Sequence, residues 1–289
     1  MNYKKIQRNI FRLVVFIFAF IGFVFTFVYF GMQFGWFNVK GSVSERNSYF
    51  NVTKNASAVS RIQIIDNPFI FTKDWANTDE WRLMREVFTR DQEVIKRAAN
   101  DAGISPRLML GAVIGEQFRF FSSRRESLKS YFEPLKILAS LSNTSFGIAG
   151  LKPKTVGIIE SNLKNKESVY YLGEDMEHVA DYAPGVDVEV ERMNRITNSK
   201  DPYYSYLYVG LFMRQIITQW EKSGYDISNR PEILATLYNL GFYYSVPKEN
   251  PQAGGSVIRL NNTDYTFGDI AYEFYYSGDL SDIFPIDVQ

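Results

Sequence analysis

Between Arg12 and Lys40 the chain carries no charge. The run LVVFIFAFIGFVFTFVYFGMQFGWF, residues 13–37, constrains the chain more than any other feature. About 20 residues of this kind cross a ~30 Å hydrocarbon core. Lys4, Lys5, Arg8 and Arg12 precede the run with no acid among them. The positive-inside rule then places residues 1–12 in the cytoplasm and everything after residue 37 across the membrane. Tyr29 and Trp36 suit an interfacial position. A cleaved signal peptide needs a shorter apolar stretch ending at a small-x-small site. The far end of this run, MQFGWF, offers no such site. The reading is an uncleaved, single-pass anchor in a cytoplasmic membrane.

Residues 38–78 read as a stalk or docking segment. The first part, 38–60, is rich in Asn, Ser and Val without periodicity, and 61–75 suits a short strand or an extended segment. From residue 79 the pattern is helical. TRDQEVIKRAANDAG has Thr89 and Gln92 spaced as a capping box and Gly103 as a stop. The next helix has Ser105 as N-cap and Pro106 in its first turn. A further helix and turn are expected over 125–145, a long helix over 203–224, and another from Pro231 to Gly241. Residues 152–200 are mixed and polar, and only short runs such as Ser256–Leu260 have strand character. The expectation is a mainly α domain over 79–289, large enough to bury a good core.

Lys+Arg and Asp+Glu both number 32, so no net charge points to nucleic acid. With no cysteine, thiolate metal sites and a Cys nucleophile are excluded, and the single histidine, His178, excludes His-rich sites. No metal or cofactor is expected. The acidic stretch GEDMEHVAD (173–181) matches no Ca²⁺ loop and reads as solvated. The aromatic C-terminal stretch 267–285 reads as core packing, with an extension of a sugar groove as the alternative.

One charge sits where an apolar residue belongs. In GAVIGEQFRF (111–120), Glu116 shares a helix face with Met109, Ala112, Val113 and Phe120. A carboxyl group in an apolar site favours its protonated form, which suits a general acid. The structural alternative is a glutamate at the helix edge, or one paired with Arg119 or Arg124. Two further segments add context. TSFGIAGLKPKT (144–155) has small residues that let backbone approach a ligand, and in ILATLYNLGF (233–242) Tyr238 and Asn239 close a helix before Gly241.

In their order and spacing these segments resemble the lysozyme-like lytic transglycosylases of bacteria. That family has a catalytic glutamate on a helix, then a Ser-x-Gly-x-Gly-Gln-Ile/Leu turn often followed by Lys-Pro-x-Thr, then an Ala-x-x-Tyr-Asn-x-Gly helix end. The counterparts here are Glu116, SFGIAGLKPKT from Ser145, and ATLYNLG from Ala235, so the resemblance covers roughly residues 90–245. It implies a lysozyme-like helical fold with a sugar-binding cleft. It also implies cleavage of the β-1,4 bond between N-acetylmuramic acid and N-acetylglucosamine in peptidoglycan. Glu116 is then the general acid and base, and closure of a 1,6-anhydro ring replaces attack by water. Ser145, Gly147, Gly150, Tyr238 and Asn239 are the implied substrate-binding positions. The turn departs from the pattern where the family's Gln falls at Gly150 and the preceding Gly at Ala149, which removes a side chain that lines the groove. The alternatives are a non-catalytic peptidoglycan-binding module and a hydrolytic muramidase, which requires a second carboxylate. Glu126, Glu133, Asp226 and Glu232 read as solvated or helix-start charges.

Overall fold

The computed structural model describes residues 3–33, 73–121, 148–198, 200–261 and 263–286. Ser145, Gly147, Glu126, Glu133 and the helix expected over 125–145 lie outside the described residues, as does the stalk up to residue 72. Among the described residues the chain is mainly helical. The helices are α1 (Tyr3–Gln33), α2 (Asp79–Arg90), α3 (Gln92–Ala102), α4 (Pro106–Phe121), α5 (Pro153–Lys164), α6 (Val188–Thr197), α7 (Tyr203–Lys222), α8 (Pro231–Leu240) and α9 (Phe267–Tyr276). One antiparallel pair joins β1 (Val257–Leu260) to β2 (Thr263–Thr266), with Val257 opposite Thr266 and Leu260 opposite Thr263.

The described side chains of α1 over 11–27 are exposed, Phe18 by 70%. Among the described residues no helix is long and apolar enough to cross a membrane.

Local chemistry sets the helix ends. The Thr78 hydroxyl accepts the Trp81 N–H at 3.1 Å and opens α2. Thr89 is inside α2, where its hydroxyl donates back to the Arg85 carbonyl at 2.8 Å. It therefore does not cap α3, which starts after Asp91. Gly103, at φ +69°, closes α3 in the left-handed conformation. Pro106 opens α4, with the Leu108 N–H 3.5 Å from Ser105 Oγ.

α4 is the central helix, in contact with α2, α3, α7, α8 and α9. Met109, Ala112 and Val113 of its apolar stripe are fully buried. α9 approaches α4 closely because Gly115 has no side chain: a β-carbon there would stand 2.6 Å from the Phe267 ring. At the start of α4 the buried Arg107 guanidinium donates to the carbonyls of Phe274 (2.7 Å), Tyr275 (2.7 Å), Asp279 (2.8 Å) and Phe284 (3.0 Å). These include the last carbonyls of α9, which a cation satisfies well. The C-terminal aromatics are thus core, with Phe267, Phe274 and Phe284 fully buried.

The folded unit extends upstream of residue 79. Trp75 is fully buried and stacks edge-on against Trp81, and Lys73 Nζ donates to the Ser277 carbonyl at 2.6 Å. Residues 73–78 therefore belong to the domain and not to the stalk; one tryptophan in a polar stretch has no periodicity to announce its burial. The polar segment 152–200 contains α5 and α6, held by a network on Glu160. Tyr208 donates to it at 2.7 Å, Tyr182 also donates, and Arg192 Nη2 pairs with it at 2.6 Å. Arg195 lies between the rings of Tyr182 and Tyr204, 3.9 and 4.0 Å from their centroids. The acidic stretch is laced with ion pairs, Lys166 to Glu174 and Lys164 to Asp181, both at 2.5 Å.

Candidate active site

Glu116 lies in the last turns of α4 with its side chain 6% exposed. It is also ion-paired. Arg119, one turn on, donates to Oε2 through Nε at 2.9 Å and through Nη2. Burial and the Arg119 pair, set against each other by the sequence, therefore occur together. A glutamate and arginine at i, i+3 share a helix face, and a cation is favoured near a helix C-terminus.

The short segment 148–150 meets this carboxylate, and each of its residues is held separately. The Gln117 amide donates to the Ile148 carbonyl. The Tyr238 hydroxyl donates to the Ala149 carbonyl at 2.6 Å. Gly150, at φ +61°, lies directly against the acid: a β-carbon there would stand 2.5 Å from Glu116 Oε2 and 2.9 Å from its carboxyl carbon. Both the backbone conformation and the available space call for glycine. The family's Gln does not fit at this position as the segment stands, so the departure from the pattern is matched by the packing around it. Immediately afterwards Pro153 opens α5, so the Lys-Pro pair is a helix start.

Tyr238 ends α8 with its ring edge-on to Phe212 at 5.2 Å. Desolvation, and then the Glu116 charge, push its phenol well above its ordinary range, while Arg119 acts the other way. The hydroxyl keeps its proton and remains a donor to Ala149. Asn239 is engaged differently. Its carbonyl oxygen accepts from the Ser256 N–H at 2.9 Å and from Ser256 Oγ at 3.1 Å, which ties the end of α8 to the segment entering β1. The carbonyl oxygen of Asn239, an implied substrate-binding position, is thus committed to Ser256.

The structure therefore gathers Glu116, Gly150 and Tyr238 from three distant parts of the chain and turns Asn239 to a structural task. Gln117 was missed by sequence reasoning, although a second polar residue beside Glu116 at the end of an apolar helix was a signal. A cavity of about 250 Å³ opens next to this cluster. Its walls include Met84, Phe88, Asp91, Gln117, Ile148 and Ser205, but not Glu116, Gly150 or Tyr238. Asp226 and Glu232, the described second-carboxylate candidates, are committed locally. Asp226 accepts the Ser228 N–H at 2.8 Å, and Glu232 pairs with Arg230 at 2.5 Å. Comparisons with family models, curated proteins and solved structures find no match.

Proposed function

We propose that this chain is a membrane-anchored peptidoglycan lytic transglycosylase with a lysozyme-like domain and Glu116 as its single acid and base. The observation that carries the reading is the clamp on residues 148–150. Gln117 and Tyr238 fix two consecutive carbonyls, and Gly150 presses on the carboxylate. The three segments behind the resemblance thus meet at one buried acid. Fixing an acid against rigid backbone is what proton transfer to a glycosidic oxygen requires. Glu116 protonates the oxygen between N-acetylmuramic acid and N-acetylglucosamine. The acetamido group steadies the developing cation. Glu116 then takes the proton of the sugar's 6-hydroxyl, which closes the 1,6-anhydro ring. The charge-free run 13–37 behind its basic tail supports an anchor in the cytoplasmic membrane, with the domain on the extracytoplasmic side facing the wall. The test is to incubate the full chain with purified sacculi: Glu116→Gln must stop the release of soluble fragments while leaving sedimentation with the sacculi intact.

A second reading is a peptidoglycan-binding module without turnover. The observation that favours it is the Arg119 pair, whose Nε and Nη2 both occupy Glu116 Oε2, an oxygen the reaction would use. In that case the unaltered chain sediments with sacculi and releases nothing.

A further inference from the structure

Every phenylalanine between residues 11 and 37 falls at one of three positions of a seven-residue repeat. FIFAFIG (16–22) is followed by FVFTFVY (23–29), and Phe30, Phe34 and Phe37 continue the series. Two of the positions form a seam through Phe16, Phe20, Phe23, Phe27 and Phe30, with alternate steps of four and three residues. Such steps average about 3.5 residues and keep side chains on one face of a helix that coils left-handedly around another. The third position, held by Phe11, Phe18 and Phe25, falls on the far side of the helix. α1 is helical through the repeat as far as Gln33, and the rings of Phe23 and Phe27 stack at 6.3 Å along the seam. Phe16, Phe20, Phe23, Phe27 and Phe30 are all exposed.

Lipid does not account for this order. The run between Arg12 and Lys40 is uncharged on every face, and hydrocarbon accepts any arrangement of apolar side chains. The seam also continues upstream into the basic tail. Its positions there hold Leu13, Asn9 and Ile6, while Lys4, Lys5, Arg8 and Arg12 all fall off it.

We propose that α1 pairs in parallel with α1 of a second copy of this chain along the Phe16–Phe30 seam. This rests on the membrane-anchor part of the reading above. The basic tail gives both copies the same orientation. In parallel register each seam phenylalanine meets its own counterpart. Offset or edge-on contacts between such rings supply an attraction that lipid, itself apolar, does not replace. Asn9, a polar residue on the seam, meets an identical amide that can both donate and accept. A helix that is apolar at this level offers no such partner, so the seam selects a second copy.

The test uses the full chain in membranes of an expressing bacterium. The chain has no cysteine, so one introduced in α1 reports only on its own position. Phe16→Cys, Phe20→Cys, Phe23→Cys and Phe27→Cys are compared with Phe18→Cys and Phe25→Cys, which replace the same residue type at similar depth. Under a mild oxidant the seam variants should form disulfide-linked dimers roughly tenfold faster than the other two, because a disulfide needs β-carbons about 4 Å apart. Sedimentation equilibrium in detergent gives a second reading. Replacing Phe20 and Phe27 together by alanine should weaken the dimer roughly tenfold, and replacing Phe18 and Phe25 together should leave it unchanged. Equal rates at both sets, faster linking at positions 18 and 25, or no dimer at all overturns the pairing. If the unaltered chain still resists carbonate extraction from the membrane, the anchor reading stands without it. Release by carbonate overturns both.

Discussion

Replacing Gly150 by alanine places a methyl group where the structure has room for none. Two costs add. At φ +61° an L-residue carries left-handed strain of roughly 1–2 kcal/mol. The new β-carbon would also stand 2.5 Å from Glu116 Oε2, and relieving such an overlap costs roughly 1–3 kcal/mol more. Gly103 separates the two terms. Its φ is +69°, and a β-carbon there would meet nothing within 4 Å, so Gly103→Ala carries the strain alone. At roughly 2–4 °C per kcal/mol for a domain of this size, Gly150→Ala melts roughly 2–12 °C below Gly103→Ala. Thermal melts followed by near-UV circular dichroism read the difference, and fragment release from sacculi reads the acid. Gly150→Ala must lose release, because Glu116 is pushed from its place, and Gly103→Ala must keep it. Equal melting points with equal activity would refute the packing of this segment against the carboxylate.

Three further outcomes follow from the same geometry. Tyr238→Phe leaves the Ala149 carbonyl buried without its donor, costing roughly 1–3 kcal/mol in urea unfolding and lowering turnover more than sugar binding. Arg107→Met strips the four carbonyls that fasten the C-terminal segment to α4, and urea unfolding should report a loss of at least about 3 kcal/mol. Glu273 is held above the usual carboxylate range by burial, with Asp269 and Asp74 adding to the rise and the Trp75 indole N–H, 2.6 Å away, opposing it. The folded chain then holds this proton more tightly than the unfolded chain does. The stability it contributes is full below the ordinary carboxylate value and is lost as pH rises through the folded value. Glu273→Gln should accordingly be more stable than the unaltered chain at pH 7, with the gap closing towards about pH 4, as urea melts across that range would show.

Where apolar spacing and end signals coincide, the elements are legible from sequence. Pro106, Pro231 and Gly241 mark ends of α4 and α8, and the long pattern over 203–224 is α7. Thr89 misled because a threonine within a helix and one at its start look alike until the bond to the Arg85 carbonyl is seen. α5 and α6 were hidden in a polar stretch because Glu160, Tyr182, Tyr208 and Arg192 hold them together, and such networks leave no period in the sequence. Glu116 stood out as a charge in an apolar stripe. Its partner was legible only as one of two arginines, Arg119 or Arg124, since an arginine three residues on suits a solvated face equally well. The commitment of Asn239 to Ser256 depends on a contact across 17 positions that spacing cannot announce.

The central claim is tested most directly by the chemical form of the ends this chain leaves on peptidoglycan. Sacculi are digested by the full chain and, in parallel, by Glu116→Gln, and the soluble fragments are weighed by mass spectrometry. The account predicts muropeptides ending in 1,6-anhydro-N-acetylmuramic acid, one water lighter than hydrolysed ends, and none from Glu116→Gln. Ordinary reducing ends, or anhydro ends that persist in Glu116→Gln, would contradict it.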